Sequence, residues 1–309
     1  MLILLALAAC SRGCHDVPTD TGDSGDPLTG NPRRNVAVTP DTGWVQLDRD
    51  GAVCATRFDG TYRCSGLDPR DNPDVSAIWV AGQGAIFCVI TEGHSLLCRP
   101  NPNSDEVVVV EDRTFTQVGL TAMGNPAVCA LAEDGSITCW YDTTLQEELW
   151  FNEGPFTDFN NGENICTLDA QGLFVDWGFG GHSYEEHGDG WVDVSCGLVN
   201  SCAVHREGYV WCWGSDTYGQ SSPPTDVLFS KVAVSPLAHA CGIRQDGGVT
   251  CWGGGTRGEN ALLAPPEGVF SQIAAYPTAN CALRDDTRIV CWGGFDVAEG
   301  GKLVEVEEE

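Results

Sequence analysis

Positive charge is what this sequence most lacks. Only 16 of its 309 residues are Lys or Arg, against 44 Asp or Glu, and the formal net charge is −28. Lysine occurs twice, at Lys231 and Lys302, and the arginines are scattered. A surface so poor in cations cannot hold a phosphate backbone, which excludes nucleic acid as a partner. No apolar run reaches the roughly 18 residues that a membrane-spanning helix requires. Charged residues are few, at 19%, while hydrophobic residues reach 42%, too many for a chain disordered throughout. Present in quantity are Gly (38), Cys (16) and Trp (10).

Residues 1–9 form an apolar stretch that ends at Cys10. The stretch is too short to span a bilayer and carries the small residues of an export cleavage site. Leu7-Ala8-Ala9-Cys10 resembles the lipobox of bacterial lipoproteins. That resemblance implies a signal peptide over residues 1–9, lipid on Cys10, and anchorage in the cell envelope outside the cytoplasm. Ser11 after the cysteine points, in those lipoproteins, to the outer membrane or cell surface. Residues 10–42 read as a disordered tether, since 15 of the 17 residues in 16–32 are Asp, Pro, Thr, Gly, Ser or Asn. A flexible segment of that length holds a domain about 30 Å from its anchor. Catalytic look-alikes in and beside it fail on context. Gly22-Asp23-Ser24-Gly25 imitates a serine-protease loop but sits in low-complexity sequence with no His-bearing partner motif. Asp20-Thr21-Gly22 with Asp41-Thr42-Gly43 imitates an aspartic protease but lies 21 residues apart, without an apolar strand before each. Asp20, Asp23 and Asp26 recur every third residue, not at the alternate positions of a calcium loop.

The rest of the chain repeats itself. Cysteines 54, 88, 129, 166, 202, 241 and 281 each precede a small and then an apolar residue or Thr, at intervals of 34 to 41. Ten residues after each lies a second cysteine, except in the fourth repeat, where Asp176 stands. Trp follows at +11 in five repeats and Gly at +6 in five. Upstream, an aromatic-x-x-apolar pair recurs, as in Trp44/Leu47, Phe115/Val118, Trp191/Val194 and Phe270/Ile273, with Val75/Ile78 standing in for it in the second repeat.

A hairpin explains the +10 spacing. With Phe58-Asp59-Gly60 as a three-residue loop and Gly in the left-handed last position, Cys54 faces Cys64 across the strands. Opposed residues of a non-hydrogen-bonded pair lie about 4.5 Å apart, within disulfide reach. The same register pairs Cys88 with Cys98, Cys129 with Cys139, Cys202 with Cys212, Cys241 with Cys251 and Cys281 with Cys291. Positions +2 and +8 are apolar, Thr56 apart, so each small sheet needs neighbours on both faces.

Cys202-Ala203-Val204, Cys212-Trp213-Gly214 and Tyr218-Gly219-Gln220 resemble the repeat of the regulator of chromosome condensation family. The paired-cysteine version is similar to its bacterial secreted branch, which includes the propeller-type β-lactamase inhibitory proteins. The resemblance covers residues 43–309 and implies an all-β, seven-bladed β-propeller around a central channel. Residues 35–38 or residues 302–306 supply the strand that closes the ring. Of the remaining cysteines, Cys10 carries lipid and Cys14 stays unpaired. Cys166 has lost its +10 partner and Cys196 is the extra cysteine of the repeats, so these two pair. Within the repeats no Cys-x(2–4)-Cys spacing suggests zinc, and disulfides belong to an oxidising compartment.

No catalytic residue emerges. His182 and His187 sit in Gly181-His182-Ser183-Tyr184-Glu185-Glu186-His187-Gly188-Asp189, which imitates a metalloprotease motif with one residue too many, in a loop; they are weak metal candidates. His94 and His205 fall in or near exposed turns, and His239 suits a structural hydrogen bond. The Trp residues at +11 read as core. Trp150 and Phe151, in the variable segment between repeats 3 and 4, are candidate partner contacts, as are Tyr184 and Tyr218. The expectation is a monomeric, non-catalytic, lipid-anchored scaffold for protein recognition, without cofactor, whose carboxylates favour a cationic partner patch. The alternatives are a carbohydrate-active or metal-dependent enzyme at the channel mouth and a structural envelope component.

Overall fold

The structure, a computed structural model, describes residues 36–39, 41–49, 53–64, 75–83, 86–99, 107–120, 128–141, 143–146, 148–152, 154–161, 165–176, 185–254, 262–293 and 305–306. The chain divides into two units, Met1–Pro32 and Arg33–Glu309, and every described residue falls in the second. Cys10, Cys14 and the lipobox lie outside the described residues.

The second unit is a ring of seven antiparallel sheets. Each begins with an inner strand: Trp44–Leu47, Ala77–Gln83, Phe115–Leu120, Phe156–Asn161, Trp191–Cys196, Phe229–Val234 and Phe270–Ala275, which define blades 1 to 7. A middle strand carrying the anchor cysteine and a third strand carrying the +10 residue follow in each. Fourth strands complete blade 2 (Val108–Val110), blade 3 (Glu148–Asn152) and blade 4 (Glu185–Glu186). Each sheet packs on the next, and blade 7 packs on blade 1.

The seal is made by blade 7, which takes two foreign strands. Val36–Val38 pairs antiparallel with Ile289–Gly293, and Glu305–Val306 pairs outside it. The two candidate closing segments therefore both join the ring, in sequence, and the stretch read as tether contains a blade strand at 36–38.

The hairpin loops show why the repeat looks as it does. Gly60 has φ 80°, and the same left-handed turn recurs in the two repeats without glycine, at His94 and Thr287, both with φ 62°. Asp59, Asp134 and Asp246, each just before the loop glycine, accept the N–H two residues on. The hydroxyls of Thr61 and Ser136 also donate to Asp59 and Asp134. These hydroxyl bonds first and the N–H bonds second hold those two carboxyls below the usual carboxylate range, and the Gly248 N–H, then Arg244, does so for Asp246. The glycine of Cys-Trp-Gly is steric. At Gly214 (φ +94°) a Cβ would lie 2.5 Å from the Val199 carbonyl oxygen.

A bulge occurs in all seven inner strands. It skips the residue after the leading position, Val45 in blade 1 and Ile78 in blade 2, which is why the core pair is spaced by three on a strand. In blade 2 the bulge assigns the pair to Ala77 and Val80, not Val75 and Ile78. The strand's two-residue period makes a shift of two hard to see from sequence.

Polar side chains two and four residues after the leading position tie the inner strands of blades 1, 4, 5 and 7 to the next. Val80 N–H donates to Gln46, Gly82 to Asp48, Cys196 to Asn160, Val232 to Asp193, Val234 to Ser195 and Leu47 to Gln272, at 2.7–3.2 Å. Such bonds satisfy the free edge of the inner strands of blades 1, 2, 5 and 6. Between blades the core is apolar, with Trp44, Phe115, Phe229 and Trp292 at most 1% exposed.

Candidate functional site

Two regions bring functional side chains together. The first is the channel, a cavity of about 640 Å³ lined by inner-strand residues of all seven blades. The bulge turns skipped residues such as Val45, Thr116, Thr157 and Ser271 toward it. Across it runs a charge network. Arg49, just past the inner strand of blade 1, reaches Asp158 of blade 4 at 3.0 Å and Asp193 of blade 5 at 3.2 Å. Lys231 of blade 6 meets Asp193 at 3.0 Å, and Val232 N–H donates to the same carboxylate at 2.7 Å. The Asp193 side chain is fully buried, so these partners replace its lost hydration. Nothing in the sequence singled out Arg49. The available signal was the polar residue two past the leading aromatic, which is Asp158, Asp193 and Lys231 in three successive repeats.

The second region joins blades 4 and 5. His187 stacks on Phe174 at 4.9 Å and lies 4.4 Å from Trp213. Trp213 continues to Trp211 at 5.0 Å, and Trp211 to Trp191 at 6.0 Å. Trp191 meets His205, which stacks on Tyr209 at 4.5 Å. Trp211 is 42% exposed and Tyr209 45%, on the disulfide-stapled hairpin of blade 5.

The structure joins the six +10 pairs across their hairpins with Cα separations of 3.9–4.1 Å. Cys166 and Cys196 are joined between blades 4 and 5 at 6.2 Å. Those two with Asp176 are the one cluster among the described residues close enough to share an ion, and their sulfurs are bonded to each other. His187 is packed among aromatics, and His182 and Tyr184 lie outside the described residues. Tyr218 is 47% exposed in the loop after blade 5.

Two expectations change. Trp150 and Phe151 occupy the fourth strand of blade 3, facing Cys139 and Thr138, and not a loop. His205, expected to be exposed, is wedged between Trp191 and Tyr209 with 15% of its side chain accessible. His239 is buried, with Nε2 2.8 Å from Asn280 Oδ1 of the next blade. Burial lowers its pKa, and the Asn280 hydrogen bond opposes the shift. The +11 tryptophans of blades 6 and 7, Trp252 and Trp292, donate their indole N–H to the carbonyls of Gln220 and Leu262 in the preceding inter-blade loops.

Residues 191–220, blade 5 and the start of its following loop, match the family model of the Regulator of chromosome condensation (RCC1) repeat. No curated protein matches the chain. Among solved structures, the CRINKLY WD40 ectodomain of the Arabidopsis thaliana receptor kinase ACR4 is similar in fold, with TM-score 0.62 and 19% identity over 86% of this chain and 100% of that one. Prp20p from Saccharomyces cerevisiae, described with binding properties to Gsp1p and histones, has TM-score 0.57 and 13% identity over 84% and 81%. YCF48 bound to D1 peptide has TM-score 0.56 and 14% identity over 86% and 98%. The chain is a seven-bladed β-propeller carrying an RCC1-type repeat.

Proposed function

We propose that this protein is a lipid-anchored, extracytoplasmic propeller that recognises other proteins and catalyses no reaction. The observation that carries the reading is the pair of half-exposed aromatics Trp211 and Tyr209 on a stapled hairpin, with Tyr218 exposed in the loop beyond it. Rigid aromatic side chains bind with little loss of conformational freedom and are enriched at interface centres. Two of the similar folds come from proteins described with protein or peptide partners, Gsp1p and histones for Prp20p and a D1 peptide for YCF48. The channel carboxylates Asp158 and Asp193 are clamped by Arg49 and Lys231, an arrangement suited to cohesion. Seven disulfides among the described residues suit an oxidising compartment, and the Cys10 motif supplies the anchor.

The test is recovery of the intact lipoprotein from its native envelope beside a Trp211→Ala, Tyr218→Ala variant. The reading expects a protein partner that is enriched with the parent, depleted with the variant and released by salt. A parent that brings down no salt-sensitive protein refutes it.

A further inference from the structure

Blade 5 ends early. Residues 215–228 between its third strand and blade 6 are all described, and they form turns rather than a fourth strand. Blades 2, 3, 4 and 7 do carry a strand there: Val108 faces Cys98, Trp150 faces Cys139, Glu185 faces Asp176 and Ala37 faces Cys291. In blade 7 the added strand comes from a distant part of the chain, so this edge accepts a segment not joined to it by a hairpin. On Val210–Gly214 the backbone is already oriented for pairing. Cys212 sits opposite Cys202 in the close, non-hydrogen-bonded register, 4.1 Å between Cα atoms, so its N–H and C=O point away from the middle strand. By alternation those of Val210 and Gly214 do likewise, and among the described residues no strand pairs with them.

We propose that blade 5 binds an extended, basic peptide segment of a partner protein as its fourth strand, antiparallel to Val210–Gly214. The inference rests on the protein-recognition reading above and names its partner's chemistry. Side chains of the incoming strand opposite Trp211 and Trp213 lie on the aromatic floor those residues form with His187 and Trp191. Exposed Glu207 and Asp216 stand at the two ends of the strand and select basic residues flanking the apolar centre. Main-chain hydrogen bonds supply attachment, and the alternate side chains supply choice. A second copy of this chain is disfavoured as occupant, because each copy carries −28.

The probe is the peptide Lys-Lys-Thr-Val-Ala-Val-Thr-Lys-Lys, whose centre repeats residues 36–38, with a twin N-methylated at alternate backbone positions. Hydrogen–deuterium exchange of the full chain should slow about fivefold over residues 210–214 on saturation with the first peptide. The methylated twin and the exposed-site variant Trp211→Ala should each weaken binding about tenfold, and salt should weaken it further. No binding, equal binding of the twin, or unchanged exchange over 210–214 overturns the proposal. So does protection already present without peptide: a rise with protein concentration assigns the edge to a second copy, and independence of concentration to another segment of the same chain. An envelope partner that leaves exchange over 210–214 unchanged sinks strand addition and leaves protein recognition standing. Peptide protection without any envelope partner does the reverse.

Discussion

Replacing Arg49 by Met is expected to destabilise the propeller by about 3 kcal/mol. Its guanidinium makes two contacts with Asp158, at 3.0 and 3.1 Å, and one with Asp193 at 3.2 Å. Hydrogen bonds to charged groups contribute about 1.5–3 kcal/mol each, and removing one partner of a buried pair costs about 3–5 kcal/mol. The loss stays at the low end for two reasons. Asp193 keeps Lys231 and the Val232 N–H, and Asp158, with 24% of its side chain accessible, can be hydrated. Lys231→Met is the internal comparison. Its side chain is 42% accessible, so the same carboxylate loses about 1 kcal/mol or less. Urea unfolding followed by tryptophan fluorescence, with disulfides intact, measures both. The reasoning is refuted if Arg49→Met falls within about 0.5 kcal/mol of the parent, or if Lys231→Met costs more.

Other consequences concern single positions. Gly214→Ala should cost about 3 kcal/mol, combining a left-handed backbone with a methyl 2.5 Å from the Val199 oxygen. Gly219→Ala, at φ +78° with no atom nearer than 3.8 Å, should cost about 1–2 kcal/mol; equal losses in thermal melts would show that crowding is irrelevant. Because burial holds His239 below its ordinary 6.5, the unfolded chain takes up that proton first as pH falls. Its contribution is therefore full above pH 6.5 and declines below it until the folded imidazole also protonates. His239→Gln should flatten the difference between unfolding at about pH 7.5 and about pH 5.5, and an unchanged slope would assign it to other groups. Removing the Cys166–Cys196 link, 30 residues apart, should cost about 4 kcal/mol, against about 3 kcal/mol for Cys202–Cys212, 10 apart. Paired alanine variants in denaturant titrations give the order, and a reversal contradicts loop-closure entropy as the dominant effect.

Much of the architecture could be read from residue spacing, because a repeat multiplies every local signal. The Cys-to-Cys interval fixed a hairpin with a three-residue loop, and the structure has that register in blade after blade. The left-handed loop position was legible at five glycines and hidden at His94 and Thr287, where the fold imposes it on side chains that resist it. The inner-strand bulge was hidden differently. Its signature, an apolar pair three apart on a strand, is visible in the sequence, but in blade 2 no aromatic marks the leading position, so Val75/Ile78 fits the spacing as well as the true pair Ala77/Val80. The sites were less legible than the fold. Arg49 crosses the ring to blades 4 and 5, and no local pattern reports a contact spanning 144 residues. Trp150 and Phe151 look like loop aromatics because fourth strands vary in length and distance from the hairpin, so the repeat does not mark them. The aromatic row on blade 5 draws on ordinary repeat positions and becomes a surface because the blade stops one strand short.

The seam in blade 7 has an implication for how the molecule is made. Residues 36–38 are synthesised before the first blade's own strands, yet their partners at 290–292 and 305–306 follow only after six further blades have begun. Until those last stretches are available, six wedges can stack as an arc but no latch can shut, and the first and final wedges stay wet on one side. Closure of the ring therefore waits for residues 290–306, whatever has folded before them, and a nick that frees residues 36–38 should spring the circle open at that single joint.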